Sequence, residues 1–161
     1  MDDDDSQQQQ PVPLPHHKLS LELRKHPVRG RGVFCAAGSI PQNTLVEVSP
    51  ILLFTSDEYE QHGKFTIADH YTYRWQGGYA LALGLGSMFN HSSKPNVGFI
   101  RDFKNGVIRY VTLREVKQDE ELCISYGSNL WFECDDDEQN TAEESEDDED
   151  LDAEWLGHIS L

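Results

Sequence analysis

The chain has 161 residues, with 13 Lys and Arg against 29 Asp and Glu and a net charge of −16. That length suits one domain with tails rather than two domains. No apolar run approaches the roughly 18 residues of a membrane span, no secretory signal is written, and acidic ends of this kind repel nucleic acid.

The charge is uneven. All 13 basic residues lie between Lys18 and Lys117, where residues 18–132 carry eleven acidic ones, a net of +2. The acid sits at the ends. Residues 1–17 hold Asp2–Asp5, Gln7–Gln10, Pro11, Pro13 and Pro15, a composition that cannot bury enough apolar surface to offset its ordering entropy, so we read them as disordered. The stretch 133–161 reads as an acidic tail with an apolar end. The fold is then 18–132, long enough to bury roughly 60–70% of its unfolded-chain surface.

In chain order, Leu19, Leu21 and Leu23 alternate with polar residues, which is strand periodicity; His26-Pro27 ends that strand. Gly30-Arg31-Gly32 is expected to bend into a second strand, Val33–Ala37. The Val, Leu and Ile residues of Thr44–Phe54 make two strand pieces meeting at a corner at Ser49-Pro50. Ser56, followed by Asp57 and Glu58, caps a short helix ending near Gly63. Tyr71–Trp75 and Tyr79–Leu83 form a hairpin around Gln76-Gly77-Gly78. A second hairpin joins Val97–Phe103 to Val107–Leu113 through Asn105-Gly106, a type I′ signal. Glu121–Ser125 is a last strand. The fold class is mostly β, with short helical turns and no room for a doubly wound nucleotide fold. Cys35, Cys123 and Cys134 are odd in number and widely spaced, so neither a disulfide framework nor a metal site is written, and an intracellular setting follows.

Two polar segments are not explained by core packing: Asn90-His91-Ser92-Ser93-Lys94-Pro95-Asn96, and Glu120-Glu121-Leu122-Cys123-Ile124-Ser125-Tyr126-Gly127. With Gly30-Arg31-Gly32-Val33-Phe34, they resemble the motif set of the SET-domain protein lysine methyltransferases, in that family's order and over nearly the whole body. The stretch from Tyr79 to Phe89 is similar to the small single-domain members of fungi and bacteria. The resemblance implies a SET domain of the β-clip type, with small curved sheets around a C-terminal pseudoknot in which the segment ending at Tyr126 threads the loop Asn90–Asn96. Such threading is rare.

The activity it implies is transfer of a methyl group from S-adenosylmethionine to a lysine of a protein, without a metal. A substrate lysine has a pKa of about 10.4 in water and must be neutral to react, which a dry aromatic channel favours by desolvation. By position, Tyr126 matches the catalytic tyrosine. Asn90 and His91 match the cofactor-binding pair, and Gly30, Arg31, Gly32 and Val33 the bend around the cofactor's methionine end. Phe99 falls where relatives place a channel Tyr or Phe; a Tyr hydroxyl there limits repeated methylation, whereas Phe leaves room for more than one methyl. An ordinary core Phe is the other reading. Trp131 and Phe132 fall where the family closes the lysine channel (Trp131) and covers the cofactor (both). Relatives often use a three-cysteine zinc cluster there, which this chain lacks. Asp119 stands in place of a Gly, a substitution its tolerance of turn geometry permits. No Tyr near Ser49 supplies a further channel hydroxyl.

The expected substrate is a histone tail, H3 first, which makes the chain a nuclear chromatin regulator with the cytoplasm also open. The fourteen acidic residues among the 22 of Glu133–Glu154 either keep the chain soluble or steer a basic partner to it. An inactive SET-like module that holds basic proteins, a methyltransferase of a non-histone protein, and homodimerisation all stay open.

Overall fold

The computed structural model describes residues 12–13 and 18–127; the expectations for Trp131, Phe132, Cys134 and the acidic tail lie outside them. The described chain runs β1 (Val12–Pro13), β2 (Leu21–His26), β3 (Gly30–Cys35), β4 (Ser39–Ile40), β5 (Leu45–Thr55), α1 (Ser56–Gln61), β6 (Thr72–Trp75), β7 (Gly78–Ala82), β8 (Asn90–His91), β9 (Val97–Asp102), β10 (Val107–Thr112), β11 (Val116–Lys117) and β12 (Glu121–Ile124), with 3₁₀ turns at Gly63–Phe65, Ile67–His70 and Gly86–Met88. The strands form sheets ordered β1-β2-β3-β12-β8 and β6-β7-β5-β10-β9, with β11-β4 as a small pair. Mostly β architecture with small sheets is as the sequence implied.

Several local expectations shift. The bend before β3 is Pro27–Arg29: the Nδ1 of His26 accepts from the Val28 and Arg29 amides, and Gly30 closes the turn at φ +81. Gly30–Gly32 therefore lie in the strand, paired with His26, Lys25 and Arg24. β5 is unbroken, but it changes partner beside Pro50, pairing with β10 up to Pro50 and with β7 from Ile51. Pro50 is the corner without a break. The cap of α1 is Thr55, whose Oγ1 accepts from the Glu58 amide. The β9–β10 turn is not type I′, because Gly106 at φ +62 is left-handed while Asn105 is not. The Asp102 carboxylate accepts from the Asn105 amide instead, a side-chain bond that competes with the short turn.

The core lies between the two large sheets. Val33, Leu122, Ile124, Phe89, Tyr110 and Ile108 are all at most 1% exposed, each apolar side chain among them contributing roughly 1.5–3 kcal/mol by leaving water. Leu122 and Ile124 belong to β12, so the strand that carries Tyr126 at its end is anchored in the core. That anchoring positions the site.

Candidate active site

β12 lies between two partners. On one side it pairs antiparallel with β3, Glu121 opposite Phe34 and Leu122 opposite Val33. On the other it runs parallel to β8, Cys123 beside Asn90 and Ile124 beside His91. The loop beyond β8 then closes over it. The Ser92 amide donates to the Ile124 carbonyl at 3.0 Å and the Asn96 amide to the Cys123 carbonyl at 3.2 Å. The Asn96 side chain completes the clasp: Oδ1 accepts from the Cys123 amide at 2.8 Å and Nδ2 donates to the Glu121 carbonyl at 2.7 Å. Its own carbonyl accepts from the Leu113 amide at 2.8 Å. This is the threaded arrangement that the motifs implied.

Tyr126 leaves the clasp with its backbone and its hydroxyl both fixed. Its amide donates to the Nδ1 of His91 at 3.0 Å, so a neutral His91 ring carries its proton on Nε2. Its hydroxyl donates to the Phe89 carbonyl at 2.6 Å. The residue as a whole is 40% exposed, yet burial around the oxygen, with the nearby Tyr73 and Tyr71 phenols, pushes its pKa well above the ordinary tyrosine range. The phenol stays neutral and donates its proton to that carbonyl, and a phenol oxygen can accept as well as donate.

The structure brings the glycine strand to the same place. Asn90 Nδ2 donates to Glu121 Oε1 at 2.6 Å and to the Arg31 carbonyl at 3.3 Å. A Cβ on Gly32 would overlap the Glu121 carboxylate and stand 2.8 Å from Asn90 Nδ2, so only glycine lets these groups close up. At Gly30 an added Cβ meets nothing within 4 Å, which leaves that face open to a ligand. Gly30, Arg31, Gly32, Asn90 and His91 therefore gather at one end of β12, with Val33 buried beneath them. Phe99, on β9, sits further along an aromatic chain: 6.3 Å from Tyr110, which lies 4.8 Å from Phe89, whose carbonyl holds Tyr126.

Three contributors had no role assigned from the sequence. Asn96 was legible as part of a motif, but not as the clasp. Glu121 is an acid in an otherwise apolar strand, which is a readable sign of a buried partner. That partner is Arg29, at 2.8 Å, and Arg29 also donates to the His91 carbonyl at 2.9 Å. The Nε of Arg29 is buried with no hydrogen-bond partner among the described residues. The third, Tyr73, faces Phe99 edge-on at 5.3 Å. Asp119 is as expected, left-handed at φ +64, with its carboxylate on Arg24 at 2.7 Å.

Comparison with known proteins bears on this geometry. A model of the SET domain matches residues 30–127. Over 149 residues, covering 92% of this chain and 99% of the relative, the sequence is 49% identical to a Schizosaccharomyces pombe protein named histone-lysine N-methyltransferase, H3 lysine-37 specific. Among solved structures, a Plasmodium falciparum protein assigned as a histone methyltransferase superposes with a TM-score of 0.55 at 26% identity, covering 70% of this chain and 96% of that one. A humanized Chaetomium thermophilum Polycomb Repressive Complex 2 bound to the inhibitor GSK126 shares the fold at TM-score 0.56 and 20% identity, over 71% of this chain and 16% of that one.

Proposed function

The chain belongs to the SET-domain family of protein lysine methyltransferases, and we propose that it methylates a lysine of histone H3 with Tyr126 at the reacting nitrogen. The family uses S-adenosylmethionine, which would supply a sulfonium-bound methyl group to a neutral amine, the C–S bond breaking as the C–N bond forms and S-adenosylhomocysteine leaving. What carries the reading is the double fixing of Tyr126, by the Phe89 carbonyl and by His91, at the end of the strand that Asn90 and His91 flank.

The chain's own residues fit that donor. The open face at Gly30 and the close approach at Gly32 leave backbone groups of Gly30–Val33 to line the methionine end. Asn90 spends Nδ2 on Glu121 and Arg31, which leaves Oδ1 to accept from the donor's ammonium. His91 contributes through its backbone, since Nδ1 is committed to Tyr126. Trp131 and Phe132 would cover the cofactor, and Trp131 would also close the channel wall.

Tyr126 then acts as an acceptor. Its neutral oxygen takes an N–H of the substrate amine and turns the nitrogen lone pair toward the methyl carbon, an alignment worth several kcal/mol. Desolvation of the amine against the aromatic side chains around it would disfavour the ammonium form and release the amine as a base. Because burial holds the Tyr126 pKa up, activity should climb with pH as the amine deprotonates and show no loss from phenol ionisation up to about pH 10.

The fission-yeast relative is named for lysine 37 of H3, so an H3 peptide spanning that residue is the first substrate to assay, beside other H3 lysines and core histones, with intact mass as the readout. Methylated H3 supports the reading; methylation of non-histone proteins alone would end it. Phe99→Tyr should move the products toward monomethyl-lysine, and an unchanged product ratio would remove Phe99 from the channel. A histone substrate would put the protein in the nucleus, with the cytoplasm also open.

A further inference from the structure

Behind the site, two buried phenols share their hydroxyls. Tyr73 donates to the Gly86 carbonyl at 2.9 Å, and Tyr110 donates to the Tyr73 oxygen at 3.1 Å and reaches the same carbonyl at 3.3 Å. Ser49 is fully buried beside them, its Oγ without a hydrogen-bond partner among the described residues. A Cβ on Gly86 would stand 2.6 Å from Ser49 Oγ and 2.7 Å from the Tyr110 hydroxyl.

Plain packing does not call for these oxygens. Phe would fill the same space, and a buried hydroxyl is costly unless it is bonded. What the hydroxyls add is direction. Tyr73 is tied at its far end to Gly86, and its ring stands edge-on to Phe99 at 5.3 Å. Phe99 in turn has the Arg101 guanidinium 5.2 Å from its ring centroid and Tyr110 at 6.3 Å on the facing strand. The Phe99 ring is thus held between a charged group and a tethered phenol. Burial raises the Tyr73 and Tyr110 pKa values far above the ordinary range, so the tether does not titrate under assay conditions.

We propose that Tyr73 is a positioning residue for product specificity: pinned at Gly86 and braced by Tyr110, it fixes the ring of Phe99 and so the room for methyl groups beside the reacting nitrogen. The proposal rests on the reading of Phe99 as a channel residue.

The test is Tyr73→Phe in the full chain, assayed on an H3 peptide, with mono-, di- and trimethyl products quantified by mass at matched total turnover. Loss of the tether should free Phe99 and raise the ratio of higher methyl states to monomethyl at least threefold, with the thermal midpoint only slightly lowered. A fall in overall rate at an unchanged ratio would overturn the proposal, since a merely structural hydroxyl acts that way. If Tyr73→Phe fails to fold, Tyr110→Phe carries the test, because it removes the brace and keeps the Tyr73–Gly86 bond. A smaller shift in the same direction is expected there, and an unchanged ratio in folded protein contradicts the idea. A wild-type chain that methylates no histone overturns the underlying reading as well, and that outcome is distinguishable from an active enzyme with an unmoved ratio.

Discussion

The clasp around β12 and the insert between β5 and β6 are held by opposite means. In the clasp, backbone pairing on both flanks is supplemented by side chains: Asn96 on Cys123 and Glu121, Arg29 on Glu121 and His91, His91 on Tyr126. The insert, α1 with its two 3₁₀ turns, hangs on Tyr59, which is buried, stacks on Tyr79 at 3.8 Å and bonds Asp69 through its hydroxyl. Phe65 and Ile67 stand 76% and 73% exposed there. Where an oxygen must be aimed within a fraction of an ångström, the chain over-determines its backbone. At the insert it leaves apolar side chains outward on a light scaffold.

Asn96→Ala should show the contrast most strongly. It strips three side-chain bonds, one of them to the Glu120 carboxylate, and leaves the Cys123 amide and the Glu121 carbonyl buried without their Asn96 partner, which costs roughly 3 kcal/mol or more. Chemical denaturation measures this, and a loss below about 1 kcal/mol, the ordinary effect of a substitution, would mean that the threading does not depend on the side chain. At the insert, Phe65→Ser with Ile67→Ser should leave stability within about 0.5 kcal/mol while raising KM for the histone peptide more than it lowers kcat. An equal stability loss would erase the distinction between the two regions.

Much of this was legible in the sequence, for a physical reason. The three motifs lie within short stretches, and Asp119 could be read as a turn residue because a left-handed backbone is a local property. The clasp was not legible in the same way. Asn96 bonds residues 25 and 27 positions away, Arg29 meets Glu121 across 92, and Tyr73 meets Tyr110 across 37. No periodicity records such pairs. Local rules also failed where a side chain intervened, as Asp102 did in the Asn-Gly turn. Pro50 misled more mildly: it marked a change of partner, which from sequence looks the same as a break.

The smallest expected effect sharpens the comparison at the edge of the clasp. The Arg114 guanidinium, with the Lys117 amide and Asn96, holds the Glu120 carboxyl below its ordinary range. Ionised Glu120 therefore contributes stability above the usual carboxylate pKa near 4.3, and that contribution disappears as acid drives the pH down through the lowered folded-state value. Glu120→Gln should destabilise the protein modestly at pH 7, with the gap to wild type closing toward pH 3; a gap independent of pH would mean that the charge plays no part.

The convergence of Tyr126 with the Asn90–His91 strand is tested most directly by splitting donor binding from turnover in Tyr126→Phe. S-adenosylhomocysteine affinity by calorimetry should stay within about twofold, while single-turnover methylation of H3 falls on the order of a hundredfold or more. Undiminished turnover would contradict the account, and so would a loss of affinity as large as the loss of rate.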